Sequence, residues 1–299
     1  MITNRPTLAI LTHTTDNFWQ GRALVKLMIP RWEAMGFKVV VVTDTDAFVP
    51  ADAALLHVNL SVVPESCRRL AEQYPLVLNG SVLDIRKRSF SRLLVDRQMP
   101  CTGKVIVKTD FNYGGWGEFR LGILESPIGR LLLRRYSEQS VCRKLGWFEA
   151  RKPWRWRRML PVGHYQVFED RDGVPGGVWN NKNLIVERFT AERSGSNYRC
   201  RHWLFFGPKE VSRIATSSDP VVKASATLEP TADPVPEELR AIRAHLGFDY
   251  GKFDYGIVDG KVVLYDVNRT PGSLADPARH AQTIEVLSDG LRGTLEQHR

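Results

Sequence analysis

The 299-residue chain has no run approaching the roughly 18 consecutive apolar residues that a membrane-spanning helix needs. No membrane partner is therefore expected. The apolar run Leu8-Ala-Ile-Leu11 is too short for a signal-peptide core. Cysteine is scarce and scattered: Cys67, Cys101, Cys142 and Cys200 form no CxxC pair. That gives no support to a zinc site or a disulfide framework, and a reducing, cytoplasmic setting is the expectation. No GxGxxG follows the first apolar strand, and no Gly-Lys-Ser/Thr follows the glycine-rich stretch, so neither a dinucleotide fingerprint nor a Walker A loop is present. There is no Ser-His-Asp set. His13, His164, His202 and His280 are isolated and read as structural residues.

What is present begins with charge. The net charge is +9, and it is unevenly spread. Arg151-Lys-Pro-Trp-Arg-Trp-Arg-Arg158 puts five cations and two tryptophans into one short stretch. Such interleaving can stack bases and contact phosphates. It can equally pack its tryptophans inward and leave its arginines in water. Packing, or contact with a ligand's phosphates, is the favoured reading, because no known nucleic-acid motif surrounds it. A nucleic-acid partner is therefore not expected.

The first third reads as an α/β domain. Thr7 to Thr12 is an apolar run suited to a buried strand. Residues 21–35 have helical spacing, with Leu24, Leu27, Met28 and Trp32 as core positions, and Gly36 stands where a helix C-cap would. A β-branched strand follows at Phe37 to Thr43. Strand, helix, strand in this order implies a right-handed parallel crossover. Further strands are expected at Ala53 to Val58 and Leu76 to Leu78, with a helix between them. The polar loop His13 to Asp16 sits at a strand's carboxyl end, where such sheets bind ligands, or is an ordinary connector.

In the middle, Lys104 to Lys108 alternates like a strand and runs into a glycine-rich stretch holding Gly114, Gly115 and Gly117. Glycines there permit positive φ and let backbone N–H groups approach an anion, and Lys108 adds a point charge. The stretch reads as a phosphate-cradling loop. Asn183 to Phe189 reads as a strand, then comes a turn at Ser194 to Asn197, then a strand from Tyr198 to Phe206. Arg199 and Arg201 lie two apart and share a strand face, as surface charges or as an anion site.

The C-terminal part carries the most specific pattern. Residues 246–272 read as a β-hairpin turning at Asp259-Gly260, the preferred two-residue turn chemistry. Pairing around that turn brings Asp254 near Asp266, and Asn268 projects on the same face as Asp266. Hard oxygen donors in this arrangement suit magnesium shared with nucleotide phosphates.

These blocks, in this order, resemble the ATP-grasp superfamily: the strand, lysine and glycine loop, the Val186-Glu-Arg-Phe189 strand, and the acid hairpin ending in Asn268-x-x-Pro-Gly272. The resemblance covers nearly the whole chain. It is nearest to the glutamate ligases that modify ribosomal protein tails and to glutathione-synthetase-like enzymes, with D-alanine–D-alanine ligase more distant. It implies an α/β (α+β) chain: a small parallel-sheet domain over 1–85, a lid subdomain over 86–184, and a larger subdomain with the metal site over 185–299.

The resemblance also implies roles. Lys108 would contact the α- and β-phosphates, and Gly114, Gly115 and Gly117 would close over them. Glu187 would sit at the adenine, with backbone groups of Arg188 and Phe189 reading the base edge and Glu192 accepting from the ribose. Lys87 or Arg88 would supply a further cation. Arg199 would approach the γ-phosphate and acyl intermediate, with Arg213 a weaker candidate. Asp254, Asp266 and Asn268 would hold the metal, Mg2+ as two ions, with Mn2+ as a substitute. The usual residue at Asp266 is glutamate, so the two-metal arrangement is where this chain departs from the pattern. Residues 122–181 match no family motif.

The implied activity is an ATP-dependent ligase. It would join a small-molecule or peptide carboxylate to an amine, or less often a thiol, through an acylphosphate, as a homodimer by analogy with relatives. A kinase of the same superfamily is the alternative, and a basic nucleic-acid-binding protein is the remote one.

Overall fold

The computed structural model describes residues 5–98, 100–160, 165–222, 227–231, 233–272 and 281–297, so His164 and His280 lie outside the described residues. The first strand, β1 (Thr7–Thr12), is buried at five of its six positions. Strands covered on both faces by helices read as continuous apolar runs, as this one does. Helix α1 (Leu24–Ala34) buries Leu24, Val25, Met28, Ile29 and Trp32, one stripe at helical spacing. Gly36, at φ +95°, ends the turn after it. The crossover leads into β2 (Lys38–Thr43), then β3 (Ala53–Leu56), α2 (Glu65–Ala71) and β4 (Val77–Leu78). All pairings are parallel and the order is β2-β1-β3-β4.

A short helix, α3 (Lys87–Phe90), leads to the middle unit. Here β5 (Val105–Thr109) is fully buried and continues into a left-handed turn, with Tyr113, Gly114 and Gly115 all at positive φ. Three helices follow: α4 (Trp116–Glu125), α5 (Pro127–Leu133) and α6 (Glu138–Glu149). Then come β6 (Gln166–Phe168), α7 (Gly176–Trp179) and β7 (Leu184–Arg188). The sheet is antiparallel, in the order β6-β5-β7.

The glycine stretch is a left-handed turn that opens a helix. Gly115 caps α4 in a left-handed conformation, and Gly117 lies inside the helix. A Cβ on Gly117 would stand 2.8 Å from the Asn59 carbonyl oxygen, so this glycine lets α4 pack against the first unit. The Ser61 amide, which donates to Glu118 Oε1 at 2.6 Å, holds the same junction. The boundary placed between 184 and 185 falls at the start of β7. The pairing of β7 with β5 puts the whole strand, Glu187 included, in the middle sheet.

The third unit holds β8 (Glu192–Ser194), β9 (Asn197–Phe206), β10 (Lys209–Ser217), β11 (Thr227–Pro230), α8 (Glu237–Leu246), β12 (Tyr250–Val258) and β13 (Lys261–Asn268). The sheet runs β11-β10-β9-β12-β13, with β8 also on β9. Its core clusters Trp203, Phe205, Phe248 and Phe253, whose rings meet edge to face. The β12–β13 turn is Asp259-Gly260 with φ values of +50° and +73°, as the sequence predicts. Helices α9 (Ala281–Ser288) and α10 (Gly290–Gln297) close the chain, and Trp32 Nε1 donates to the Ser288 carbonyl at 3.0 Å.

Two buried polar side chains join the first unit to the third. Asn79 Oδ1 accepts from the Asp249 and Tyr250 amides at 2.9 and 3.0 Å. Arg269, fully buried, donates to the carbonyls of Val58, Leu60 and Val82. Its five donors suit that divided set of acceptors. Among the described residues no helix is long and apolar enough to cross a membrane.

Candidate active site

Between the three-stranded sheet and the larger antiparallel sheet lies a cavity of about 180 Å³. Its charged lining comes from six elements: Lys87 of α3, Lys108 of β5, Arg188 of β7, Arg199 of β9, Asp254 of β12 and Asp266 of β13. Apolar lining comes from Leu93, Ile106, Phe189 and Val222, with Tyr165 and Tyr265 beside them.

The acids meet as the hairpin predicts. Asp254 and Asp266 are direct cross-strand partners, and a bulge just beyond Asp254 shifts the register of the rest of the hairpin. On its other side Asp254 pairs with His202, whose Nδ1 lies 2.6 Å from Asp254 Oδ1. Lys252 Nζ lies 3.0 Å from the same oxygen. Burial alone would raise the Asp254 carboxyl. The Lys252 ammonium and the His202 imidazole more than offset it, and its pKa lies well below the usual carboxylate range. Burial likewise works against charge on Lys87, but the Asp266 carboxylate at 3.2 Å overcomes it and holds the ammonium protonated.

Lys108 and Glu187 face each other from β5 and β7, with Nζ 2.7 Å from Oε2. Glu187 is 1% exposed. Lys108 Nζ also lies 6.0 Å from the Tyr265 ring centre. Arg199 lines the cavity, and its Nε is buried with no hydrogen-bond partner among the described residues. A buried donor without a partner is a place where an incoming acceptor is favoured.

The structure separates the remaining candidates. Lys87 lines the cavity, whereas Arg88 pairs with Asp110 at 2.5 Å and donates to the Lys182 carbonyl. Gly114, Gly115 and Gly117 do not line it, for the packing reasons given above. Arg188 and Phe189 do line it; their amides already donate to the Leu93 and Lys104 carbonyls at 2.8 Å, which leaves base-edge contact to carbonyl oxygens. Glu192 is not free for a ribose either. Arg201 grips both its oxygens from 2.8 to 3.1 Å, and the Ile257 amide donates to Oε2 at 2.8 Å. This also splits Arg199 from Arg201: the second spends its charge on Glu192 and on Asp233. Asn268 Oδ1 accepts from the Thr270 amide at 2.8 Å, and Asn268 is not part of the cavity lining. Arg213 reaches Thr283 Oγ1 at 2.6 Å and also lies outside the lining.

Sequence reading missed Lys252, His202, Cys200 and Tyr265. A signal existed for the first: Lys252 precedes Asp254 by two on one strand, and therefore shares its face. His202 and Cys200 lie on β9 and were legible only once the β9–β12 register was known. Cys200, His202 and Asp254 each bring one ligand atom within 4.8 Å of the others. Burial, its largest influence, keeps the Cys200 thiol protonated.

The donor chemistry fits a magnesium ion. Asp254 and Asp266 are hard oxygen donors on facing strands, with lysines as their present counter-charges. The cations Lys87, Lys108, Arg199 and Lys252 outnumber the acids Asp254, Asp266 and Glu187, which favours an anionic guest.

No protein-family model and no curated protein matches the chain. Solved structures similar to it over nearly their whole length include a RimK domain ATP-grasp protein from Sphaerobacter thermophilus, with 12% identity and a TM-score of 0.49, covering 94% of this chain and 98% of that one. D-alanine–D-alanine ligase from Bacillus anthracis has 12% identity and a TM-score of 0.47, covering 98% and 100%. The macrocyclase MdnC from Microcystis aeruginosa, solved with its precursor peptide MdnA, has 11% identity and a TM-score of 0.45, covering 95% and 99%.

Proposed function

We propose that this chain is an ATP- and magnesium-dependent ligase of the ATP-grasp type that joins a carboxylate to an amine or thiol. The observation that carries the reading is the convergence of Lys87, Lys108 and Arg199 with the facing acids Asp254 and Asp266 on one cavity between two sheets. A triphosphate needs distributed cations, and a metal shared with it needs oxygen donors with positions left open.

Lys108 and Arg199 come from different sheets, so they hold the phosphate chain from two sides. Lys252 holds Asp254 ionised and Lys87 pairs with Asp266 before any ligand arrives. The apolar walls at Leu93, Ile106 and Phe189 suit a base. Asp254 and Asp266 would hold a magnesium ion, which would supply charge neutralisation on the phosphates. The substrate carboxylate takes the γ-phosphoryl group to become an acylphosphate, and the amine then displaces phosphate. Enclosure between the sheets keeps water from that intermediate. At about 180 Å³ the cavity is smaller than the ~300 Å³ and above common for ligand pockets, so nucleotide entry moves the sheets apart.

The test is thermal shift with Mg-ADP or a non-hydrolysable ATP analogue, comparing the wild type with Asp266→Ala plus Asn268→Ala. A magnesium-dependent rise in melting temperature, lost in the variant, supports the reading and justifies screening acids and amines for phosphate release. No shift in the wild type at millimolar nucleotide sinks it.

A further inference from the structure

The basic stretch and its surroundings remain outside the cavity chemistry. Between residues 127 and 158, ten residues are Lys or Arg and two are Glu, so this span carries +8 of the chain's +9. Both acids are already spent. Glu138 takes Arg120, and Glu149 takes Lys152 and Arg158. Among the described residues, Arg134, Arg135, Arg143 and Arg155 meet no carboxylate.

Aromatics share this surface. On α6 the inner face buries Val141, Cys142 and Glu149. The outer face, one turn apart at a time, presents Arg143 and Lys144, then Trp147 and Phe148, then Arg151. Trp147 is 54% exposed, Phe148 58% and Trp156 64%. The inward-packing reading of the two tryptophans therefore holds for Trp154, which packs on the middle core, and fails for Trp156. An ordinary solvated surface does not leave two such rings together on one helix turn and a third on the segment that follows. Trp156 lines a groove of about 910 Å³ together with Lys152, Arg155 and Arg158.

We infer that this face binds a single-stranded nucleic acid, with bases stacked on Trp147, Phe148 and Trp156 and phosphates on the neighbouring arginines. Each exposed tryptophan carries its own cation. The Arg151 guanidinium lies 3.4 Å from the Trp147 ring centre, and that of Arg155 5.4 Å from Trp156. A base can stack on the ring while its phosphate meets the cation. An anionic lipid surface would meet the cations with phosphates but offer no planar rings to stack on. Two copies of the chain would set +8 against +8 across a twofold axis. An acidic polypeptide would answer the charge but leave the rings unused. The inference does not depend on the ATP reading, since none of these residues lines the cavity.

The experiment is fluorescence anisotropy of a short labelled single-stranded RNA with the full chain. Binding at low salt should weaken about a hundredfold for a fourfold rise in salt, if about five phosphates are contacted. Phe148→Ala plus Trp156→Ala, both exposed and so harmless to folding, should weaken binding at least about tenfold without changing the salt dependence. Arg134→Glu plus Arg143→Glu should weaken it and flatten that dependence. The inference is overturned if RNA does not bind at low salt, or if the aromatic variant binds like the wild type. Competition by polyglutamate, or by anionic phospholipid vesicles, as effective as that of unlabelled RNA also overturns it, as does a wild-type dimer that the aromatic variant abolishes.

Discussion

Lys108 and Glu187 form an ion pair at 2.7 Å across neighbouring strands, with the glutamate almost wholly out of water. Removing one partner strands the other's charge in a low-dielectric site, which typically costs about 3–5 kcal/mol, whereas replacing both by apolar residues is often neutral. Glu187→Leu alone is therefore expected to lower unfolding stability by about 3 kcal/mol. Lys108→Met plus Glu187→Leu should recover most of it and still lose nucleotide-dependent stabilisation. Urea titrations with and without Mg-ADP separate the two effects. A double variant that is stable and still gains from nucleotide removes Lys108 from the site.

Lys87 and Arg88 are adjacent in sequence and differ in destination. Lys87→Met is expected to abolish the nucleotide-induced rise in melting temperature, because its ammonium faces Asp266 at the cavity. Arg88→Ala should keep that rise while losing intrinsic stability, because it strands the buried Asp110 carboxylate. Equal nucleotide responses in the two variants would contradict the assignment.

Gly117→Ala tests whether the glycine stretch packs or moves. The new methyl group meets the Asn59 carbonyl at 2.8 Å, and overpacking of this kind costs about 1–3 kcal/mol. A lower melting temperature without ligand is the expected result. An unchanged melting temperature with impaired nucleotide binding points instead to a mobile phosphate loop.

His57 predicts a pH dependence. Burial lowers its imidazole from 6.5 to about 3, so the folded chain refuses a proton that the unfolded chain accepts. The unfolded state binds more protons from about pH 6.5 downward, so stability falls with falling pH, at about 1.4 kcal/mol per pH unit once well below that value. His57→Gln removes this loss. Urea midpoints between about pH 7 and pH 5, above the main carboxylate range, should slope less steeply in the variant. Parallel slopes would refute a buried, neutral histidine.

Much of the architecture was legible because its signals are local. The bounds of β1 follow from one apolar run, and counting outward from Asp259-Gly260 sets Asp254 opposite residue 265, one short of Asp266; the bulge beside Asp254, which no local signal announces, makes Asp266 its direct partner. Where a candidate's surroundings differ from expectation, the cause is a competing partner, distant or local. Positive φ at Gly115 suits a phosphate loop or a helix start alike, and only the approach of Asn59 and Arg158 decides between them. Glu192 has the right place after β7 for a ribose, yet Arg201, nine residues on, claims it through β8–β9 pairing. Asn268 matches its motif, but the chain's own turn at Thr270 takes its oxygen.

Arg269 directly follows Asn268, and its guanidinium is spent on three carbonyls of the first unit. The acid hairpin and the opening parallel sheet are therefore a single inheritance. Neither can be transplanted into another chain as a cassette without stranding a buried cation or three bare acceptors. Recombination between such chains should respect this junction, and unfolding should release both ends of the polypeptide together rather than one after the other.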